Sequence, residues 1–140
     1  TEVARRSALV HSLKLAETPF HVPVDAIACR TGISVLDRFL TVQTLLRKDA
    51  HPSMFETPGH LLTLGAAPGL LRARQGHTET SVALAQASGL KPAGLLCEIV
   101  GDDGDMLYGE DLVDFGMQNG IEVVRMSELI PALLAKTQED

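Results

Sequence analysis

Four short apolar runs punctuate the chain: FHVPVDAIA from Phe20, LLTLGA from Leu61, GLLCEIV from Gly94 and IEVVR from Ile121. Stretches with helical spacing or glycine- and proline-rich turns separate them. Each run is too short for a buried helix and suits a strand. Strands alternating with helices predict an α/β architecture of the α+β type, a mixed β-sheet layered with helices around one core. Pro23 inside the first run lacks an N–H for the ladder and predicts an edge position or a bulge there.

The intervening segments carry their own end signals. Val3 to Leu15 has the spacing of a short amphipathic helix. Ser34 followed by Asp37 fits a capping box, so a helix is predicted from Ser34 to about Lys48. DAHPSMFETPGH is a loop by its two prolines and glycine. A helix is predicted from near Thr78 to Ser88, stopped by Gly89 in the C′ place. GDDG after the third run is a tight turn. Glu110 to Asn119 is a helix closed by Gly120, and Ser127 caps a last helix before a charged tail.

The chain has 140 residues, enough for one modest domain and hardly for two. Its 45% hydrophobic and 21% charged residues suit a soluble core. No apolar run approaches the roughly 20 residues of a membrane span, and the opening TEVARRSALVHSLKL lacks the features of a signal peptide. The formal net charge of −6 argues against broad nucleic-acid binding. A small anion stays compatible with it, because a few local donors suffice. Cys29 and Cys97 lie in apolar runs without metal-ligand spacing and are expected as buried hydrophobes in a cytosolic protein.

RQGHTET, Arg74 to Thr80, concentrates chemistry where a loop becomes a helix. Two readings fit it. In one, Thr78 caps the helix and Glu79 decorates its first turn. In the other, the helix N-terminus and Arg74 hold an anion, Gly76 lets the ligand approach the backbone, and His77 ligates a metal or moves a proton. Glu98, amid the apolar GLLCEIV, is either a solvent-facing strand-edge carboxylate or a paired functional one. His60 of TPGH reads alone as a turn histidine, and TGISVLDR as a glycine turn with a capping box.

In order, TGISVLDR, TPGH, RQGHTET and PAGLLCEIVGDDGDM resemble the 3,4-dihydroxy-2-butanone-4-phosphate synthase family, over about Thr18 to Ile130. The GHTE and CEIVGDDG stretches, with PAG ahead of the second, are specific only in combination. The resemblance implies a homodimeric, cytoplasmic lyase of riboflavin biosynthesis. It would convert D-ribulose 5-phosphate to 3,4-dihydroxy-2-butanone 4-phosphate and formate using Mg²⁺, with Mn²⁺ as the alternative ion. It implies no nucleic-acid or membrane partner. By the same resemblance His77 is a metal ligand, while Arg74, Gly76 and Thr78 hold the substrate phosphate. Glu98 is an acid/base or positioning residue, His60 an essential residue contributed across the dimer interface, and Asp37, Arg38 and Thr41 lie near the same site.

The sequence departs from the family pattern in three places. The acidic DxRENEGD loop of the family, which supplies a further metal-ligand glutamate, has no counterpart here. The chain is therefore expected to be the C-terminal two-thirds of a synthase-like domain, with residues 1–140 as a single domain. PGHxFPLR is replaced by PGHLLTLG, and the paired threonines after the DR step are reduced to Thr41, with Leu40 in the first place. The alternative to the lyase is a degenerate, non-catalytic relative serving as a sugar-phosphate-binding or interaction subunit.

Overall fold

The computed structural model describes residues 12–13, as backbone, and residues 20–136. The helix expected over Val3 to Leu15 lies largely outside them. Its described part, β1 (Ser12–Leu13), is a strand antiparallel to β2 (Phe20–His21). Pro23 interrupts the first apolar run as expected: β2 ends before it and β3 (Val24–Ala26) starts after it.

β3 pairs antiparallel with β4 (Phe55–Leu61). The expected loop over 49–60 is thus half strand, with a 3-10 turn at Pro52–Met54 ahead of it. The register slips between Val24 and Asp25. Ala26 and Asp25 face Phe55 and Glu56, whereas Val24 faces Leu61, so the residues between Glu56 and Leu61 bulge away from the ladder. The Gly59 N–H donates to the Pro23 carbonyl at 2.8 Å within this bulge.

Helix α1 (Val35–Leu45) begins where Ser34 predicts it. The Ser34 hydroxyl accepts from the Asp37 N–H at 3.1 Å. Only half of the capping box forms. The Asp37 carboxylate turns instead to the preceding TGIS turn and accepts from the Arg30, Thr31 and Gly32 N–H groups and the Thr31 hydroxyl, at 3.1–3.3 Å. One turn later Thr41, wholly buried, accepts from the Ala26 N–H at 3.0 Å and donates to the Asp37 carbonyl. This hydroxyl fastens α1 to β3 at Ala26, which pairs with Phe55 of β4.

Helix α2 (His77–Ala87) and helix α4 (Met126–Lys136) pack against a 3-10 turn at Leu70–Arg72. Leu71, Ile130 and Leu133 form the buried cluster, with Ala83, Ala87, Met126 and Leu129 against it. Burying side chains of this size contributes roughly 1.5–3 kcal/mol each. Lysines bind the carbonyls left open at two helix ends: Lys91 Nζ reaches Leu46 O at 2.6 Å, and Lys136 Nζ reaches Ala87 O at 2.7 Å. Helix α3 (Glu110–Asn119) runs over the expected residues and is closed by Gly120.

Several expectations fail. LLTLGA is not a buried strand: only Leu61 belongs to β4, Leu64 makes one isolated bridge with Phe20, and Leu62 is exposed. GLLCEIV and IEVVR carry no strand, and most of their apolar side chains face solvent, Leu95 at 75% exposure. Among the described residues GLLCEIV makes a single isolated bridge, Val100 to Met106, and IEVVR pairs with no strand; hydrophobicity cannot substitute for a ladder. Cys97, within GLLCEIV, is exposed, and Cys29, after β3, is half-buried, rather than both being buried. At the last helix, Glu128 and Leu129 N–H groups both bond to Arg125 O, so Ser127 lies inside the first turn and does not cap it. The described part of the chain is a mixed α/β fold with two small antiparallel sheets.

Candidate functional site

The bulge in β4 brings His60 onto Asp25, 35 positions away in sequence. The His60 N–H donates to Asp25 Oδ1 at 2.9 Å, and His60 Nδ1 lies 2.6 Å from Asp25 Oδ2. Burial pushes the Asp25 carboxyl up, but the His60 N–H, the His60 ring and the Leu61 N–H outweigh it and hold the group below the usual carboxylate range. Gly32 closes over the pair with φ +77°. A Cβ there would overlap the Asp25 carboxylate and come within 2.7 Å of His60 Nδ1. No residue with a side chain fits this close approach, which gives the glycine of TGIS a physical reason.

His60, Arg38 and Thr78 all line one cleft of about 920 Å³, together with His21, Phe39 and Cys97. Burial lowers the pKa of His21. The structure therefore brings together three of the residues singled out from sequence. Asp37 and Thr41 stand beside the cleft, but their polar atoms are turned inward to the backbone. Burial raises the Asp37 carboxyl, and the Arg30 and Thr31 N–H groups with the Ser34 and Thr31 side chains pull it below the usual range.

The second group sits at the start of α2. The helix begins at His77 rather than Thr78, and its N-cap is Gly76, which has no side chain to cap with. Thr80, not Thr78, ties the turn, its hydroxyl donating to Gly76 O at 2.8 Å. Glu79 is fully buried. One of its oxygens accepts from the Ala67 N–H at 2.9 Å and lies 3.7 Å from Arg74 Nη1; the other has no hydrogen-bond partner among the described residues. Arg74 is thus held against the helix start while 41% of its side chain stays open to solvent.

Glu98 is exposed and outside the cleft lining, although its neighbour Cys97 lines it. The PAG step ahead of it crosses α2 closely: a Cβ on Gly94 would come within 2.8 Å of Ser81 Cβ and Oγ. Among the described residues no three histidine, cysteine or acidic side chains gather as a metal cage. Mg²⁺ favours near-octahedral oxygen coordination, so His77, exposed and alone, does not fit that ion by itself. Asp25 was not singled out from sequence. Its signal was available: a carboxylate inside the apolar VPVDAIA needs a partner.

A cleft lined by Arg38 and by a histidine paired with Asp25, beside an uncapped helix start with a second arginine, has the chemistry of a site for a small anionic substrate. The family model of 3,4-dihydroxy-2-butanone 4-phosphate synthase matches residues 6–132, and the chain belongs to that family. A 3,4-dihydroxy-2-butanone 4-phosphate synthase of Candida albicans is 46% identical over 101 residues, covering 71% of this chain and 50% of the relative. The chain thus spans about half the length of that relative. The solved Candida albicans synthase superimposes with a TM-score of 0.85 at 40% identity, covering 94% of this chain and 67% of that one. A synthase solved in complex with two magnesium ions gives 0.78 at 32% identity, covering 98% and 71%.

Proposed function

We propose that the protein is a lyase of riboflavin biosynthesis that converts D-ribulose 5-phosphate to 3,4-dihydroxy-2-butanone 4-phosphate and formate. The observation that carries this reading is the convergence of His60, Arg38 and Thr78 on one cleft in a chain of the synthase family. Arg74, Gly76 and Thr78 hold the phosphate at the uncapped start of α2, supplying binding energy away from the reacting carbons. His60 moves a proton at the reacting end. Glu98 acts as a second acid/base or positioning group, and Arg38 faces the substrate. Asp37 and Thr41 serve by shaping the TGIS turn and docking α1, not by touching substrate. His77 is the metal ligand of this reading, for Mg²⁺ or Mn²⁺, with the remaining ligands from outside the described residues. A homodimer with His60 at its interface, in the cytoplasm, goes with the same reading.

The test is direct: incubate the protein with D-ribulose 5-phosphate and Mg²⁺ and measure formate. Formate release that EDTA stops supports the lyase. A second reading, a non-catalytic sugar-phosphate-binding subunit, draws on the altered PGHLLTLG flank and the lack of a metal cage among the described residues. Substrate binding without formate would favour it.

A further inference from the structure

We propose that Asp25 is the positioning residue that fixes His60 as the Nδ1–H tautomer, so that its Nε2 lone pair is the proton acceptor offered to the cleft. The two side chains are in direct contact. At 2.6 Å, Nδ1 and Oδ2 cannot both be bare acceptors, so one proton lies between them. Asp25 is held ionised at neutral pH by the donors around it, which leaves the proton on Nδ1. Asp25 is also fixed independently of the ring. Its Oδ1 accepts from the His60 N–H at 2.9 Å, and Gly32 closes over the carboxylate, so the acceptor cannot rotate away without displacing the TGIS turn. The side chain of Asp25 is 13% exposed and that of His60 43% exposed, so the ring is pinned at its inner nitrogen and open at the outer side.

The chemical consequence is specific. When Nε2 accepts a proton from a substrate carbon or hydroxyl, the substrate keeps the electron pair and His60 becomes an imidazolium. Its new charge is met by a carboxylate already in contact. The function proposed above supplies the substrate, and the kinetic part of the test rests on that reading; the tautomer part does not.

The experiment is ¹⁵N NMR of the histidine rings at alkaline pH. The five histidines are assigned by comparison with His60→Gln. His60 is expected as Nδ1–H with Nε2 unprotonated, the reverse of the form an unconstrained histidine favours. Asp25→Asn keeps an acceptor for the His60 N–H but turns a side-chain N–H toward Nδ1, and should switch His60 to the Nε2–H form. In formate assays the same variant should lose on the order of 10²–10⁴ in kcat with little change in KM, the size of loss seen when a catalytic histidine is held in the wrong tautomer. A wild-type His60 in the Nε2–H form overturns the proposal, whether or not the variant folds. So does a variant that switches tautomer yet keeps full kcat in an active enzyme. A wild type with the expected tautomer and no formate under any condition would sink the lyase reading and leave the positioning of His60 standing.

Discussion

Single side chains here divide into those that face the cleft and those spent on the backbone, and residue type does not reveal which is which. Thr41 and Thr78 lie on helices in similar motifs, yet Thr41 is wholly buried and Thr78 lines the cleft. Thr41→Val should therefore act on stability. It leaves the Ala26 N–H buried without an acceptor and should cost about 1–3 kcal/mol. Urea unfolding measures that loss, and a near-neutral result would mean the α1–β3 tie is replaceable. Arg74→Ala should act on binding. A charge-assisted contact to phosphate contributes roughly 1.5–3 kcal/mol, so affinity for a sugar phosphate should fall by about one to two decades. Calorimetric titration showing unchanged affinity would reduce Arg74 to the partner of Glu79. Arg38, His60 and Thr78, which line the cleft, sit in motifs that the sequence displays. Asp25 does not stand out there, because its partner is 35 positions away and only the register slip joins them.

Among the elements, helices were more legible than strands, for a physical reason. A helix satisfies its own backbone, so its ends can be read from local chemistry: Ser34 starts α1, and Glu110 to Asn119 forms α3 up to Gly120 as expected. A strand needs a neighbour, and the apolarity of GLLCEIV and IEVVR says nothing about where that neighbour lies. At α1 two consequences follow. Ser34→Ala removes the acceptor for the Asp37 N–H and should cost about 1 kcal/mol, read from the urea midpoint. The second concerns acid. The folded protein holds the Asp37 and Asp25 carboxyls below their ordinary value of about 3.9. Their contribution to stability is complete above that ordinary value and is lost as the pH falls through the folded values. Asp37→Asn should therefore be destabilised at neutral pH, with the gap to wild type closing in acid. A gap that stays constant down to roughly pH 2 would mean the carboxylate charge is not what organises the TGIS turn.

For the whole molecule, one exposed apolar surface lies next to the site. Val35 and Leu36 on α1 are 75% and 78% exposed, and Phe39, one turn on, lines the cleft beside His60. A surface of this kind next to a site is where a second chain can contribute. The homodimer proposed above should appear in sedimentation at micromolar concentration. Only monomer under those conditions would remove the two-chain site and leave His60 to act from one chain.

The slipped register of β4 sets a constraint of a different kind, on chain length rather than residue identity. Both ends of the strand are pinned, Phe55 and Glu56 to Ala26 and Asp25, and Leu61 to Val24. Between those ends the bulge still touches β3 and the residue before it: the Gly59 N–H bonds to the Pro23 carbonyl and the His60 N–H to Asp25. Removing or adding one residue there would move Gly59 from the one place where its backbone fits against Val24 and Asp25. It would also carry the His60 ring off its carboxylate. In this stretch spacing counts as much as residue identity, and a change in length would disturb both the packing at Gly59 and the pairing of His60.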